Sequence, residues 1–365
     1  MAIRAETKLL ELTPTHPFRI ARSVHSRYDH WLVRLEHDGD VGWGEAASTE
    51  RYGETAETVA RALGQIVPLL GDDPYAIHAT EARIADHLEA NPSAKTAVSM
   101  ALHDLVARRH GLPLYRWFGL DLDAVPPTSF TIGIDEPEVM RQKVTEAERY
   151  SILKIKMGFE GDIEVLEMLR RTTDKPIRVD ANEGWTRQQA LDRLPALEEL
   201  GVELLEQPLQ AADLDGLAAV ARATELPVAA DESCMTSADL KALIGVVDVI
   251  NVKTAKCGSL AEARRTMEAA KALGFEVFLG CMVESSLGIA GAAHLAPLAD
   301  YVDLDGHLLL ADDPFQGLRF EDGRVLPSTE AVGLGVEPVA ARGLRLKMSG
   351  QTDVSGSFGT EASGK

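Results

Sequence analysis

The sequence predicts an α/β protein in which an α+β domain precedes a barrel of the TIM type. The chain has 365 residues, which is more than a usual single domain, so a barrel-sized domain and a smaller one are expected. From about residue 128, short apolar strands alternate with helical stretches, as in repeated βα units. Before that point, strands come first and helices follow, which is typical of an α+β domain.

The amino-terminal part reads as a small antiparallel sheet followed by helices. A strand around Leu32 to Leu35 leads into Asp38-Gly39-Asp40, and this composition predicts a tight turn before the next strand. The pattern becomes helical from about 54 to 110. Its clearest stretch runs from Ala94 to His110, with apolar residues at four-residue spacing, and Gly111 follows it.

Eight stretches of the carboxy-terminal part have the composition of short buried strands, as a barrel requires. The strands are predicted at Ser129 to Thr131, Ile152 to Lys156, Ile177 to Asp180, Leu204 to Glu206, Val228 to Asp231, Val249 to Lys253, Val277 to Leu279 and Tyr301 to Asp305. Residues 348–365 are rich in Ser and Gly and predict a flexible tail.

Composition excludes several classes of function. A net charge of −20 disfavours nucleic acid or an anionic membrane as a partner. No apolar run approaches the length that spans a bilayer, and the first residues lack the pattern of a secretory signal, so a cytoplasmic location is expected. Cys234, Cys257 and Cys281 lack CxxC pairing, which argues against a disulfide framework or a structural zinc site.

Five of the predicted strands end on a charged residue, and the steps between these residues are close to the length of one βα unit. Because parallel strands of a barrel end at one rim, the five side chains are expected to converge there. One such residue alone would more often be a helix cap or a solvated loop charge, but five at this spacing favour a site. They are Lys156, Asp180, Glu206, Asp231 and Lys253.

Three carboxylates at one rim would repel one another unless a cation lay among them. Oxygen ligands favour Mg²⁺ over zinc. Such a cation could hold a substrate carboxylate and stabilise the enediolate formed when the adjacent carbon loses its proton. A lysine beside it would have a lowered pKa and could serve as a base near neutral pH.

The motifs around these residues resemble those of the muconate-lactonising subgroup of the enolase superfamily. The resemblance covers nearly the whole chain and includes Gly42 to Glu45 and Ala101 to Leu105. Its motifs are Lys154-Ile155-Lys156, Val179-Asp180-Ala181-Asn182, Glu206-Gln207-Pro208, Asp231-Glu232-Ser233 and Asn251-Val252-Lys253.

The resemblance implies an α+β capping domain at 1–125, a modified TIM-type (β/α)7β barrel at 126–312 that carries the active site, and a segment at 313–347 that returns to the capping domain. The implied metal is Mg²⁺, and the protein would act on small molecules, as a possible homo-oligomer. The implied roles are metal ligands for Asp180, Glu206 and Asp231, opposed acid and base for Lys156 and Lys253, tuning of Lys156 by Lys154, and outer support of the metal site by Asn182.

Lys256, three residues after Lys253, is a rival base, but a position past the strand end fits a loop or a helix start better. The subgroup includes cycloisomerases, o-succinylbenzoate synthases, N-acylamino acid racemases and dipeptide epimerases, so membership alone does not give the substrate. An acid-sugar dehydratase would need a histidine base after the seventh strand, where this chain has Phe278 to Met282.

Asp303-Leu304-Asp305 resembles the Asp-x-Asp motif with which dipeptide epimerases bind the α-ammonium group of the substrate. Period-two spacing on a strand would point both carboxylates to one side. The resemblance therefore implies epimerisation of a dipeptide at its C-terminal residue. An N-acylamino acid racemase or an o-succinylbenzoate synthase is the alternative.

The resemblance also implies that loops of the capping domain select the substrate side chain. Arg22, His25, Tyr52 and Met282 are the predicted substrate-binding residues. His25 aligns with an arginine that binds a substrate carboxylate in epimerases of acidic dipeptides, which leaves open whether Arg22, Arg27 or Arg51 supplies a positive charge here. The sequence does not decide between glutamate and an apolar or uncharged C-terminal residue.

Overall fold

The computed structural model describes residues 2–339, so the tail predicted at 348–365 lies outside the described residues. The amino-terminal region folds as an antiparallel sheet with strand order β1-β4-β5, a separate hairpin of β2 and β3, and helices. Its elements are β1 Arg4–Leu12, β2 Phe18–Ile20, β3 Ser23–His25, β4 Tyr28–His37, β5 Asp40–Ala46, α1 Ala56–Ile66, α2 Ile77–His87, α3 Pro92–Arg109 and α4 Leu114–Trp117.

A tight turn joins β4 and β5, as predicted. Asp38 and Gly39 both have positive φ, at 52° and 93°, which matches the twist of a two-residue hairpin turn. Helix α3 lies across this sheet and is buried along most of its length. It begins with Pro92 at its first turn, where a missing N–H costs nothing, and ends one residue before the predicted His110.

Eight parallel strands follow in strict sequence order and form the barrel. A parallel bridge between Thr128 and Val302 joins the first strand to the last. The elements are β6 Ser129–Ile132, α5 Pro137–Glu146, β7 Ile152–Lys156, α6 Asp162–Arg170, β8 Ile177–Asp180, α7 Arg187–Glu199, β9 Val202–Glu206, α8 Leu214–Arg222, β10 Val228–Ala230, α9 Leu240–Leu243, β11 Val249–Lys253, α10 Thr254–Cys257, α11 Leu260–Ala272, β12 Glu276–Gly280, α12 Ser286–Ala293 and β13 Tyr301–Val302.

This architecture confirms the predicted α/β barrel with a preceding α+β region. The strands are buried on both faces because helices cover the outside and side chains fill the interior. Leu204, Ala229, Val249 and Phe278 form the interior cluster. Within residues 2–339, no helix is both long and apolar enough to cross a membrane, and the three cysteines are free thiols.

Two predicted strands end earlier than expected. Strand β10 stops at Ala230 because the carbonyl of Asp231 turns to accept hydrogen bonds from the Cys234 amide and from Lys256. Strand β13 stops at Val302 rather than Asp305, and a 3-10 turn begins at Gly306. The residues of the predicted Asp-x-Asp motif therefore follow the strand instead of lying on it.

The last described segment contacts both parts of the molecule. Phe315 packs edge-on against Trp43 with ring centroids 6.2 Å apart, whereas Phe320 packs against Tyr150 beside the barrel at 5.2 Å. The domain limits at 125 and 312 remain predictions, and the limit at 347 lies outside the described residues. The strands are β14 Phe315–Gln316, β15 Arg319–Glu321, β16 Arg324–Leu326 and β17 Glu337–Pro338, with β14 paired to β17 and β15 to β16.

Candidate active site

Strand register brings the charged strand ends to one level of the barrel. Lys156 on β7 is the register partner of Asp180 on β8, and Asp180 is the partner of Glu206 on β9. Asp231 directly follows β10, and Lys253 ends β11. All five side chains are buried. The structure therefore brings together the five residues that the strand spacing singled out.

Lysine ammonium groups hold the three carboxylates in place. Lys156 Nζ donates to Asp180 Oδ2 at 2.6 Å, and Lys253 Nζ donates to Asp231 Oδ2 at 2.7 Å. Lys156 comes from the second barrel strand and Lys253 from the sixth. In a ring of eight strands these positions are opposite each other.

Lys154 lies on β7 two residues before Lys156, so both side chains point into the barrel. Its ammonium is 2.6 Å from Glu206 Oε2, 3.2 Å from Asp180 Oδ2 and 2.8 Å from Asp303 Oδ2. It also lies 5.3 Å from the centre of the Phe278 ring. Lys154 thus neutralises three carboxylates, two at strand ends and one, Asp303, just after β13.

Lys256 is fully buried in α10. Its ammonium donates to Asp231 Oδ1 at 2.7 Å and to the Asp231 carbonyl at 2.6 Å. It is absent from the described lining of the large cavity at the barrel mouth. These contacts show that Lys256 positions Asp231. Lys253, which also contacts Asp231, is the one of these two lysines that lines the cavity.

The chain's own charges set the protonation of this cluster. Burial alone would raise the pKa of Asp180, but the nearby Lys156 and Lys154 charges outweigh it and lower that pKa. Burial and the charge of Asp180 raise the pKa of Glu206 to about 7. For Lys253, burial acts to lower the pKa, but Asp231 and Glu206 raise it overall. The lowered lysine pKa expected from the sequence therefore depends on a divalent cation among the carboxylates.

The oxygen atoms around the cluster fit a hard cation. Glu206 Oε2 faces Lys154 without hydrogen-bond geometry, and it has no hydrogen-bond partner within residues 2–339; the same is true of Asn182 Oδ1, Glu232 Oε2 and Asn251 Oδ1. As the side chains stand, no group of three or more His, Cys, Asp or Glu residues in that range could hold a metal ion. Carboxylate and amide oxygens are the ligands that Mg²⁺ prefers.

The two acids of the Asp-x-Asp motif lie at the cavity wall beside the first strand. Asp303 Oδ1 accepts from Ser129 Oγ at 2.6 Å, and Asp305 Oδ2 accepts from the Thr131 amide at 2.6 Å. Burial and the charge of Asp303 raise the pKa of Asp305 to about 7. Although neither residue is on a strand, both line the same cavity.

The cavity has a volume of about 600 Å³ and lies between the barrel mouth and the amino-terminal loops. Of the predicted substrate-binding residues, Tyr52 is not among its lining residues, and it is half-buried in the 3-10 turn Glu50–Tyr52. His25 packs against Tyr28 with ring centroids 5.3 Å apart. The predicted residues that line the cavity are Arg22, His25, Lys154, Lys156, Asn182, Lys253, Met282, Asp303 and Asp305.

Two arginines of the amino-terminal loops are paired with acids of the barrel. Arg22 Nη1 lies 2.7 Å from Glu232 Oε1. Arg51 makes a two-pronged contact with Glu183, and both distances are 2.7 Å. The third loop arginine, Arg27, is paired within its own region with Asp29 and with Glu11.

Two family descriptions match the chain. Residues 4–119 match "Mandelate racemase / muconate lactonizing enzyme, N-terminal domain", and residues 138–342 match "Enolase C-terminal domain-like". The chain belongs to the enolase superfamily.

Two relatives of the chain are epimerases whose names give the substrate. The chain is 39% identical to the L-Ala-D/L-Glu epimerase of Bacteroides thetaiotaomicron, over 89% of this chain and 85% of the relative. It is 40% identical to the L-Lys-D/L-Arg epimerase of Methylococcus capsulatus, over 88% and 95%. A crystal structure of the dipeptide epimerase from Cytophaga hutchinsonii, complexed with Mg and D-Ala-L-Val, superposes with a TM-score of 0.89 at 28% identity, covering 94% of this chain and 97% of that one.

Glu232 and Glu183, the two acids that pair with arginines of the amino-terminal loops, were not predicted from the sequence. Glu232 directly follows Asp231 in a motif already singled out, so its position was available as a signal. Glu183 follows Asn182, and both residues have positive φ, at 65° and 43°. This strained turn aims Glu183 at Arg51, and no local pattern in the sequence predicts it.

Proposed function

We propose that the chain is a Mg²⁺-dependent dipeptide epimerase that transfers a proton at the α-carbon of the substrate's C-terminal residue. The observation that carries the proposal is the pair Lys156 and Lys253, buried at opposite sides of the barrel with carboxylates between them. Inversion at carbon requires a base on one face and an acid on the other, since one group cannot readily reach both. The relatives' names support the same reaction class.

Asp180, Glu206 and Asp231 would hold the magnesium ion, with Asn182 supporting the site from outside. When bound, Mg²⁺ would supply positive charge to the substrate carboxylate and favour loss of the neighbouring proton. The four buried oxygens that have no hydrogen-bond partner within the described residues support this assignment. The crystal structure of the Cytophaga relative contains Mg.

The two lysines act as base and acid on opposite faces of the α-carbon. Lys253 or Lys156, whichever faces the α-hydrogen of the bound stereoisomer, takes the proton, and the opposite lysine donates one to the other face. Lys154 and Lys156 both contact Asp180 Oδ2, so Lys154 contributes positive charge beside Lys156. Asp180 and Asp231 hold the two catalytic ammonium groups in position.

Asp303 and Asp305 would bind the α-ammonium group of the dipeptide. Both line the cavity near β6, the first barrel strand. A hydrogen bond between an ammonium group and a carboxylate is strong because both groups are charged. An N-acylamino acid racemase or an o-succinylbenzoate synthase would have no ammonium for these acids to bind. The cap assigned to 1–125 would close over the barrel at 126–312, and the part of the 313–347 segment that the structure describes, up to residue 339, would tie the two together.

The test is epimerisation of L-Ala-L-X dipeptides in deuterated water, with Lys156→Ala and Lys253→Ala beside the parent. Each variant should lose epimerisation by about a hundredfold or more, because general acid–base groups typically contribute that much. Each variant can still exchange the α-hydrogen of one stereoisomer for deuterium, because one of the two lysines remains. Lys241→Ala, which changes an exposed lysine on α9, should behave as the parent.

Full activity of either lysine variant on both stereoisomers would refute the assignment. Faster racemisation of an N-acetyl amino acid than of the matching free dipeptide would favour the N-acylamino acid racemase instead.

A further inference from the structure

The cationic residues of the main cavity are all matched by carboxylates of the chain. Arg22, Arg27 and Arg51 pair with Glu232, Asp29 and Glu183. The three lysines that line the cavity pair with the acids at the strand ends. A substrate side chain ending in a carboxylate would therefore meet guanidinium groups that are already neutralised. The acids paired with those groups would repel it.

Three glutamates of the same cavity wall have no such match. Within residues 2–339, Glu50, Glu54 and Glu57 make no ion pair with Lys or Arg. The charge of Lys95 acts on Glu54, but Lys95 donates its hydrogen bonds to the Leu88 and Glu89 carbonyls. Burial raises the pKa of Glu54 to about 7, and Arg61 acts on Glu57 without an ion pair, so this side of the cavity has carboxyl groups that a bound cation would favour in their ionised form.

Glu54 is the member of this group that points to a ligand. Its side chain is buried, with the residue only 1% exposed. Oε1 accepts from the Ser93 amide and hydroxyl at 2.9 and 2.8 Å, but Oε2 has no hydrogen-bond partner among the described residues. A buried carboxylate oxygen without a donor is unfavourable, and it is usually met by a ligand or water.

Structural roles explain Glu50, Glu57 and only one of the two carboxylate oxygens of Glu54. Glu50 and Glu57 lie in the first turns of short helical segments, where acids are favoured by the helix dipole. The contact of Glu54 with Ser93 satisfies the start of α3 through one oxygen. Glu54 lines the cavity, and its second oxygen has no such explanation.

The contacts of Glu54 also indicate which part of a dipeptide would reach it. Glu54 is fixed to the start of α3, and Thr96 of α3 donates to the carbonyl of Thr254, the residue after Lys253. Asp303 and Asp305 are fixed to the first barrel strand instead. An amino terminus held by those two acids leaves the side chain of the C-terminal residue to extend toward the Lys253 side.

We propose that Glu54, with Glu50 and Glu57, forms an anionic subsite for the cationic side chain of the epimerised residue. The preferred substrates are then dipeptides that end in lysine or arginine. This inference rests on the proposed function and names its substrate class.

The test compares kcat/KM for L-Ala-L-Lys with that for L-Ala-L-norleucine, which has a similar chain without the charge, and with that for L-Ala-L-Glu. The parent should prefer the lysine dipeptide over each of the others by roughly tenfold or more. Glu54→Gln keeps an oxygen acceptor for Ser93, and it should lower kcat/KM for the lysine dipeptide about tenfold while the norleucine value stays within about twofold. Glu225→Gln, an exposed acid on the loop before β10, should change neither.

Glu50→Gln repeats the test at an exposed residue, whose change cannot disturb the interior. It should lower only the preference for the lysine dipeptide over the norleucine dipeptide. Equal loss on the lysine and norleucine dipeptides in Glu54→Gln would mean that Glu54 is only structural and would overturn the inference. Preference of the parent for L-Ala-L-Glu or the norleucine dipeptide would overturn it as well, while leaving the proposed function intact. Absence of turnover and of deuterium exchange with every dipeptide would overturn both.

Discussion

At the scale of single residues, the site is a cluster of acids that the chain itself neutralises with lysines. Each of the three proposed metal ligands touches at least one ammonium group. Glu206 is the least well satisfied of them, since one of its oxygens lacks hydrogen-bond geometry and its pKa is raised to about 7. A divalent cation would relieve the repulsion that Asp180 exerts on Glu206.

The first prediction concerns these ligands. Asp180→Asn removes one negative charge from the cluster and should weaken Mg²⁺ binding at least about tenfold, because hard cations bind charged oxygens better than neutral ones. Titration calorimetry with Mg²⁺ alone measures this without any substrate. Asp215→Asn, at an exposed position on α8, is the matched control. Equal Mg²⁺ affinity in the parent and in Asp180→Asn would remove Asp180 from the ligand set.

Spacing along the chain predicted the buried acids and lysines because each is a strand end, and strand ends of a barrel meet at one rim. The partners of these residues were harder to predict. Lys256 reaches Asp231 only because α10 turns immediately after β11. The pairs of Arg22 with Glu232 and Arg51 with Glu183 join positions that are far apart in sequence, so they depend on how the loops lie over the barrel.

At the scale of elements, the close packing of α3 on β5 positions the amino-terminal loops. Gly42 and Gly44 let the helix backbone approach the strand. A β-carbon on Gly44 would lie 1.9 Å from the Ala97 carbonyl oxygen, and one on Gly42 would lie 2.0 Å from the Ala101 carbonyl oxygen. Both distances are far inside van der Waals contact, so only glycine fits at these two positions.

The second prediction follows from that packing. Gly44→Ala must push α3 away from the sheet and should lower the free energy of unfolding by roughly 3 kcal/mol, as overpacking of a buried contact does. Gly64→Ala is the matched control, because Gly64 lies within α1 and an added β-carbon meets nothing within 4 Å. That change should be neutral or stabilising by up to about 1 kcal/mol. Urea unfolding of both variants measures the difference, and equal stabilities would contradict the packing argument.

The sequence predicted all eight barrel strands, since buried parallel strands read as short apolar runs between helices. Their ends were less predictable. Strand β13 is short because Leu304 donates its amide to Thr128 Oγ1 instead of continuing the ladder. Strand β9 begins two residues earlier than predicted, at Val202. These limits depend on contacts with distant residues, which local composition does not contain.

At the scale of the whole molecule, the net charge of −20 coexists with an unusual number of buried acids around the barrel mouth. Some are stabilised as anions by lysines, whereas others have raised pKa values and favour the protonated form. The acids of the second kind make the stability of the whole molecule depend on pH. Glu284, just before α12, is the clearest example because it has no cation within ion-pair distance among the described residues.

The last prediction concerns this residue. Burial, and then the charge of Glu45, raise the pKa of Glu284 to about 8 from its ordinary value of 4.5. Between these two pH values the folded protein binds a proton that the unfolded chain has lost, so the free energy of unfolding falls as the pH rises. Glu284→Gln cannot ionise and keeps an oxygen acceptor for the Met282 amide, which lies 2.9 Å from Glu284 Oε1 in the parent.

Relative to this variant, the parent should therefore lose on the order of 3 kcal/mol between pH 5 and pH 8, since each unit of pKa shift corresponds to about 1.4 kcal/mol. Urea unfolding at both pH values, with Glu225→Gln as the control for a change of net charge, measures that loss. The control should follow the parent, because Glu225 is exposed. If the parent and Glu284→Gln showed the same dependence on pH, Glu284 would have to be ionised in the folded protein, and a cation or ordered water would have to stabilise it there.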